Sequence, residues 1–172
     1  MTRKSPRTLL IIVVGALVGS LTGCTSQADE VPALDISRSE LWRTVNVNLH
    51  DVDPAWVVTE WPVALVHRSG CDTNSKTMMP KGPPWRYQLV TGRDNPSPDY
   101  LNRINGGLDS LAHRGFTVAP PPLPDDPRDR TATDSRGFHV DVEFTEKPGG
   151  QTRVAIWSWS PCVRHPNEVD DW

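Results

Sequence analysis

Four side chains near the C-terminus could do chemistry together. His139, Asp141 and Glu143 share one parity of an alternating stretch, and Ser158 lies on the segment that returns beside it. A Ser-His-Asp set of this kind supports nucleophilic hydrolysis, and a carboxylate pair supports glycoside cleavage. Plain alternation on a solvated strand face yields the same triplet and the same carboxylates two apart, and that reading is preferred here. No Gly-x-Ser-x-Gly, Ser-x-x-Lys, His-Glu-x-x-His or Gly-x-Gly-x-x-Gly pattern occurs in the chain, so the usual nucleophile, zinc and dinucleotide signatures are missing. The five His, at 50, 67, 113, 139 and 165, fall one per segment. No catalytic residue, metal set or cofactor is assigned on this basis.

The cysteines are more informative. Met1 to Thr8 carries Arg3, Lys4 and Arg7 and no acid, Leu9 to Ser20 carries no charge, and the stretch closes on Leu21-Thr22-Gly23-Cys24. A basic start, a short apolar run and a small-residue exit make a secretory leader. The run from Leu9 to Ser20 would span roughly 18 Å as a helix, against roughly 30 Å of hydrocarbon, which is too short for a permanent span.

The exit Leu-x-Gly-Cys resembles the lipobox of bacterial lipoproteins. That resemblance implies cleavage just before Cys24 and acylation of its sulfur, which would hold the chain on the extracytoplasmic face of the cell membrane. Two acyl chains suffice for stable anchoring where one does not. The alternative is an ordinary cleaved leader whose next residue happens to be Cys. Of the three Cys, Cys71 and Cys162 then remain in a compartment that permits disulfides. Pairing them would close a loop of about 90 residues, worth roughly 4–5 kcal/mol in the chain-entropy account. The alternative is two free buried thiols. A zinc site is disfavoured, because there is no Cys-x-x-Cys and no nearby His pair.

The whole chain has a net charge of −3, and losing the leader removes three cations and no acid. An acidic surface argues against nucleic acid or anionic lipid headgroups as the main partner. The seven Trp are the unusual feature of the composition. Trp56, Trp61 and Trp85 are loosely constrained and are candidate ligand contacts. Trp157 and Trp159 could stack on sugars of a glycan-rich wall, but are expected to be core, packed with Phe138 against a helix.

The elements that must position these residues follow from spacing. Residues 25–35 are polar and aperiodic, which suits a tether. Ser37 and Glu40 match a capping box, and Leu41, Trp42, Val45 and Leu49 continue it as a helix over 38–50. A strand is expected over 57–67, then loop from Ser69 to Pro84, then a strand from Trp85 to Thr91. Ser97, Pro98 and Asp99 start a second helix that runs to Arg114 and stops at Gly115. Phe116 to Val118 reads as a short strand, and the prolines from 120 to 127 as a solvated loop. The C-terminal hairpin turns at Lys147-Pro148-Gly149-Gly150. A four-residue loop there would set Phe138 against Trp159 and Val140 against Trp157 on one apolar face, with His139 opposite Ser158 on the other.

The pieces Ser69-Gly70-Cys71, Gly115-Phe116, the strand from Gly137 to Phe144 and Ser160-Pro161-Cys162 make the region from Cys71 to Cys162 look like the LppA-type lipoproteins of mycobacteria and their actinobacterial relatives. The resemblance implies no activity for any residue. The expected architecture is an α+β domain over 36–172: an antiparallel sheet of four to five strands, two helices on one face and one disulfide. It would follow a leader over 1–23 and a tether over 24–35. The expected role is a membrane-anchored envelope module that binds a protein or glycan partner without catalysis. A small envelope hydrolase acting on cell-wall glycan or peptide is the alternative.

Overall fold

The computed structural model describes residues 32–53, 55–58 and 67–167. Cys24 and Trp61, and most of the strand expected over 57–67, lie outside them. Val57 and Val58 are described and belong to no strand.

Both helices form where capping and periodicity put them. Helix α1 spans Arg38–Val52, and the Ser37 hydroxyl accepts from the Glu40 N–H at 3.2 Å. Its apolar stripe of Leu41, Val45, Leu49 and Val52 is fully buried. Helix α2 spans Pro98–His113, with Ser97 accepting from the Tyr100 N–H at 3.3 Å. Gly115 follows at a φ of +94°, a conformation that a Cβ disfavours. Gly107 has a separate reason to be glycine: a Cβ there would run into the backbone of Asp51 and Val52, so the two helices cross at that point. Among the described residues no helix is long and apolar enough to cross a membrane.

The α+β class is as expected, but the sheet is larger. It has eight strands among the described residues, in the order β1-β8-β3-β7-β6-β5-β4, with β2 pairing β3. The strands are β1 Leu34–Asp35, β2 His67–Thr73, β3 Pro80–Asp94, β4 Thr117–Ala119, β5 Arg130–Thr133, β6 His139–Lys147, β7 Gln151–Trp159 and β8 Val163–Arg164. It is mixed rather than antiparallel, because β1 runs parallel to β8. Residues Leu34 and Asp35, expected in the tether, already belong to the sheet.

Two further differences have local causes. The stretch from Ser69 to Pro84, expected as loop, is mostly the β2–β3 hairpin. Its prolines are accommodated at the start of β3, where Gly82-Pro83 and Pro83-Pro84 are cis. Strand β5 carries too few apolar residues to announce itself: only Ala132 of Arg130–Thr133 is buried. The Cys71–Cys162 disulfide is present and ties β2 to the segment between β7 and β8, 91 residues apart in sequence.

The register of the β6–β7 hairpin also differs by one. Lys147 pairs with Gln151, leaving a three-residue loop, and the ladder runs His139 to Trp159, Val140 to Ser158, Asp141 to Trp157 and Val142 to Ile156. Gly149 and Gly150 sit at φ of +91° and +76°, which the tight loop requires and glycine accepts. This register buries Val140, Val142 and Phe144 together with Val154, Ile156 and Ser158. The expected register would have turned Arg153 inward and left Val154 and Ile156 in water. Arg153 instead pairs with Asp94 at 3.3 Å on the surface.

Candidate binding face

A one-residue register shift carries every side chain of a strand to the opposite face of the sheet. Trp157 and Trp159 therefore stand on the outer face, away from the helices, and not in the core with Phe138. Three ladder rows define the patch. Gln88, Trp159 and His139 form one, Val90, Trp157 and Asp141 the next, and Gly92, Ala155 and Glu143 the third. The strands that hold them are central ones, β3, β7 and β6, whose inner faces are locked into the core. The platform is accordingly rigid.

The aromatic rings form a stripe. The Trp157 and Trp159 centroids are 5.9 Å apart with planes 25° from parallel, and His139 continues the stripe on Trp159 at 5.7 Å and 16°. Carboxylates border it. Trp157 donates its indole N–H to Glu143 Oε2 at 3.0 Å. Thr131 donates to Asp141 Oδ1 at 2.8 Å, and His139 Nε2 stands 3.6 Å from Asp141 Oδ2. Burial pushes the Glu143 carboxyl above its ordinary value; the Trp157 N–H opposes this, and the nearby carboxylates, Asp141 first, reinforce it.

This geometry separates the four residues on which hydrolysis would rest. His139, Asp141 and Glu143 are together, as the shared parity requires. Ser158 is not with them: it is fully buried on the inner face, paired with Val140, and its hydroxyl meets no hydrogen-bond partner among the described residues. The Ser-His-Asp arrangement is not assembled. The patch can present flat aromatic surface bordered by hydrogen-bond acceptors, which suits recognition more than bond cleavage.

Trp56 and Trp85 have structural partners. Trp56 donates to Asn46 Oδ1 at 3.0 Å, and its carbonyl lies 2.7 Å from His50 Nδ1. It also lines a cavity of about 290 Å³ with Asp53, Arg93 and Tyr100. There Tyr100 donates to the buried Asp53 Oδ2 at 2.8 Å, and the Ala55 N–H meets Oδ1 at 3.0 Å. Burial, then the Asp53 carboxylate, pushes the Tyr100 hydroxyl well above its ordinary value. These bonds tie the end of α1 to the start of α2. Trp85 packs against the core, with the Arg68 guanidinium 4.0 Å above its ring. Among the described residues no group of three or more His, Cys, Asp or Glu could hold a metal ion.

A four-residue hairpin loop puts the Trp pair in the core, whereas the three-residue loop puts it outside. The signal that could have found it was the alternate parity of Val154 and Ile156, which are better core residues than Arg153 and Ala155.

No family model matches the chain, and no curated protein matches it. Among solved structures it is similar to a DUF4853 family protein from Actinomyces odontolyticus, at 18% identity over 82% of this chain and 77% of that one, with a TM-score of 0.47.

Proposed function

We propose that this chain is a membrane-anchored envelope lipoprotein whose folded domain binds an envelope partner, glycan or protein, through the outer face of its sheet. The observation that supports the binding role is the Trp157–Trp159–His139 stripe, set on rigid central strands and bordered by Asp141 and Glu143. Adjacent half-buried rings on an outer sheet face offer a flat apolar patch of the kind that interaction sites use. The anchor rests on Leu21-Thr22-Gly23-Cys24 and the basic, apolar leader before it. The likeness to LppA-type lipoproteins rests on the same leader and on the placing of Cys71 and Cys162. The hydrolase alternative has less support, because Asp141 and Glu143 are engaged by Thr131 and Trp157 and the serine faces the core.

Crosslinking and pulldown from native membranes test the reading. The intact protein should capture a partner that a Trp157→Ala/Trp159→Ala variant loses while keeping its fold. A Cys24→Ala variant should leave the membrane fraction. Equal capture by the Trp variant would remove the outer face from the proposal, and an unacylated Cys24 in the native protein would remove the anchor.

A further inference from the structure

The tip of the β2–β3 hairpin exposes two large apolar side chains that the core does not use. Met78 is 74% exposed and Met79 is 63% exposed. The tip is nevertheless well built. Asn74 Oδ1 accepts from the N–H groups of Lys76 and Thr77 at 3.0 and 3.2 Å. The Met78 N–H meets the Asn74 carbonyl at 2.7 Å, and the Asn74 N–H meets the Met79 carbonyl at 2.9 Å. Met78 sits at a φ of 56°, where glycine or asparagine would be more comfortable. A bulky apolar residue thus occupies a position whose backbone asks for a small one, and its side chain points into water. Packing explains neither methionine.

Charge identifies what would cover them. From Asn74 to Pro84 the chain carries Lys76 and Lys81 and no acid, in a protein whose net charge is negative. Asp72, the ladder partner of Lys81, lies one step behind the tip. Apolar side chains flanked by lysines complement an anionic bilayer, with methionines among the acyl chains and ammonium groups at the headgroups. The reach is sufficient. Strand β1 lies level with Trp85 and Gly70 across β8. The tip stands about five residues farther along the hairpin, roughly 17 Å. The tether from Cys24 to Ala33 can extend roughly 33 Å.

We propose that the Met78–Met79 tip is a second membrane contact, docking on anionic lipid and fixing how the anchored domain stands on the bilayer. This rests on the anchor reading above.

Methionine oxidation reads the tip directly. The three methionines are Met1, Met78 and Met79, so once the leader is removed peroxide reports on the tip alone. The natively processed protein is reconstituted in phosphatidylglycerol vesicles and in phosphatidylcholine vesicles, and compared with the Cys24→Ala chain, made without residues 1–23, in buffer. Oxidation of Met78 and Met79 should be at least about threefold slower on the anionic vesicles than in buffer, with a smaller effect on the neutral ones. A Lys76→Glu/Lys81→Glu variant with an unchanged melting temperature should lose the difference between the two lipids. Equal oxidation in all three conditions, with the vesicle-bound protein shown to be acylated, would overturn the tip contact alone. Protection in native membranes but not in protein-free vesicles would overturn it in favour of a protein partner. A mass showing Cys24 unmodified would overturn the anchor instead, and the two failures are read from different peptides.

Discussion

The two faces of strands β6 and β7 are made of the same backbone and differ in almost everything else. The inner face holds Val140, Val142, Phe144, Val154 and Ile156, all buried beneath the helices. The outer face holds His139, Asp141, Glu143, Trp157 and Trp159, hydrogen-bonded or stacked on one another and reachable from solvent. Hydrophobicity did not sort them, since tryptophan outweighs valine in apolar area. Shape did: rows of aliphatic side chains fit against helices, while the Trp157 indole N–H finds Glu143 on the outer face and the Trp159 ring stacks between Trp157 and His139. The inner face therefore carries stability, the outer face is the one we propose for recognition, and substitutions should separate the two.

The largest effect belongs to the inner face. Ile156→Ala should cost about 2–5 kcal/mol in denaturant unfolding, as a fully buried side chain leaves a cavity. Next is the clasp that holds the helices over that face. Tyr100→Phe strands the buried Asp53 Oδ2 and should cost about 1–3 kcal/mol by the same measurement. Gly150→Ala tests the loop that sets which face is which. Its positive φ makes alanine unfavourable by about 1–2 kcal/mol, and a larger loss with altered cross-strand NOEs would mean the register itself had slipped. Trp157→Ala should cost only about 1 kcal/mol of stability, the scale of one ring contact, while abolishing the capture that we propose for this face. A loss comparable to that of Ile156→Ala would erase the contrast between the faces.

The smallest effect is the pH response of the outer face. Burial raises Glu143 above its ordinary value of 4.5, so the folded state holds that proton more tightly than the unfolded chain does. On this account stability is present below the ordinary value and declines as pH rises through the raised one. Glu143→Gln should remove that decline from melting curves taken across the acidic range. A slope that persists in the variant would assign it to another group.

Much of the scaffold was legible in the sequence because its signals are local. Ser37 with Glu40, Ser97 with Pro98, and Gly115 after Arg114 mark helix ends through bonds made within a few residues. The hairpin was visible in its alternation, and the disulfide in the two cysteines left once Cys24 was set aside. The β2–β3 strands were hidden by prolines and glycines that usually mean loop, and β5 by its short polar composition.

From the sequence alone came the α+β class, the two helices, the sulfur pair, and the fact that His139, Asp141 and Glu143 share a face. Alternation and capping give the helices and the shared face, and the cysteine count gives the pair. Tertiary structure alone decided which face the tryptophans join, and so that Ser158 is buried away from His139. That choice turns on a single residue in a glycine turn. Its energy comes from burying Val154 and Ile156 under helices far away in sequence, while Arg153 is kept at the surface.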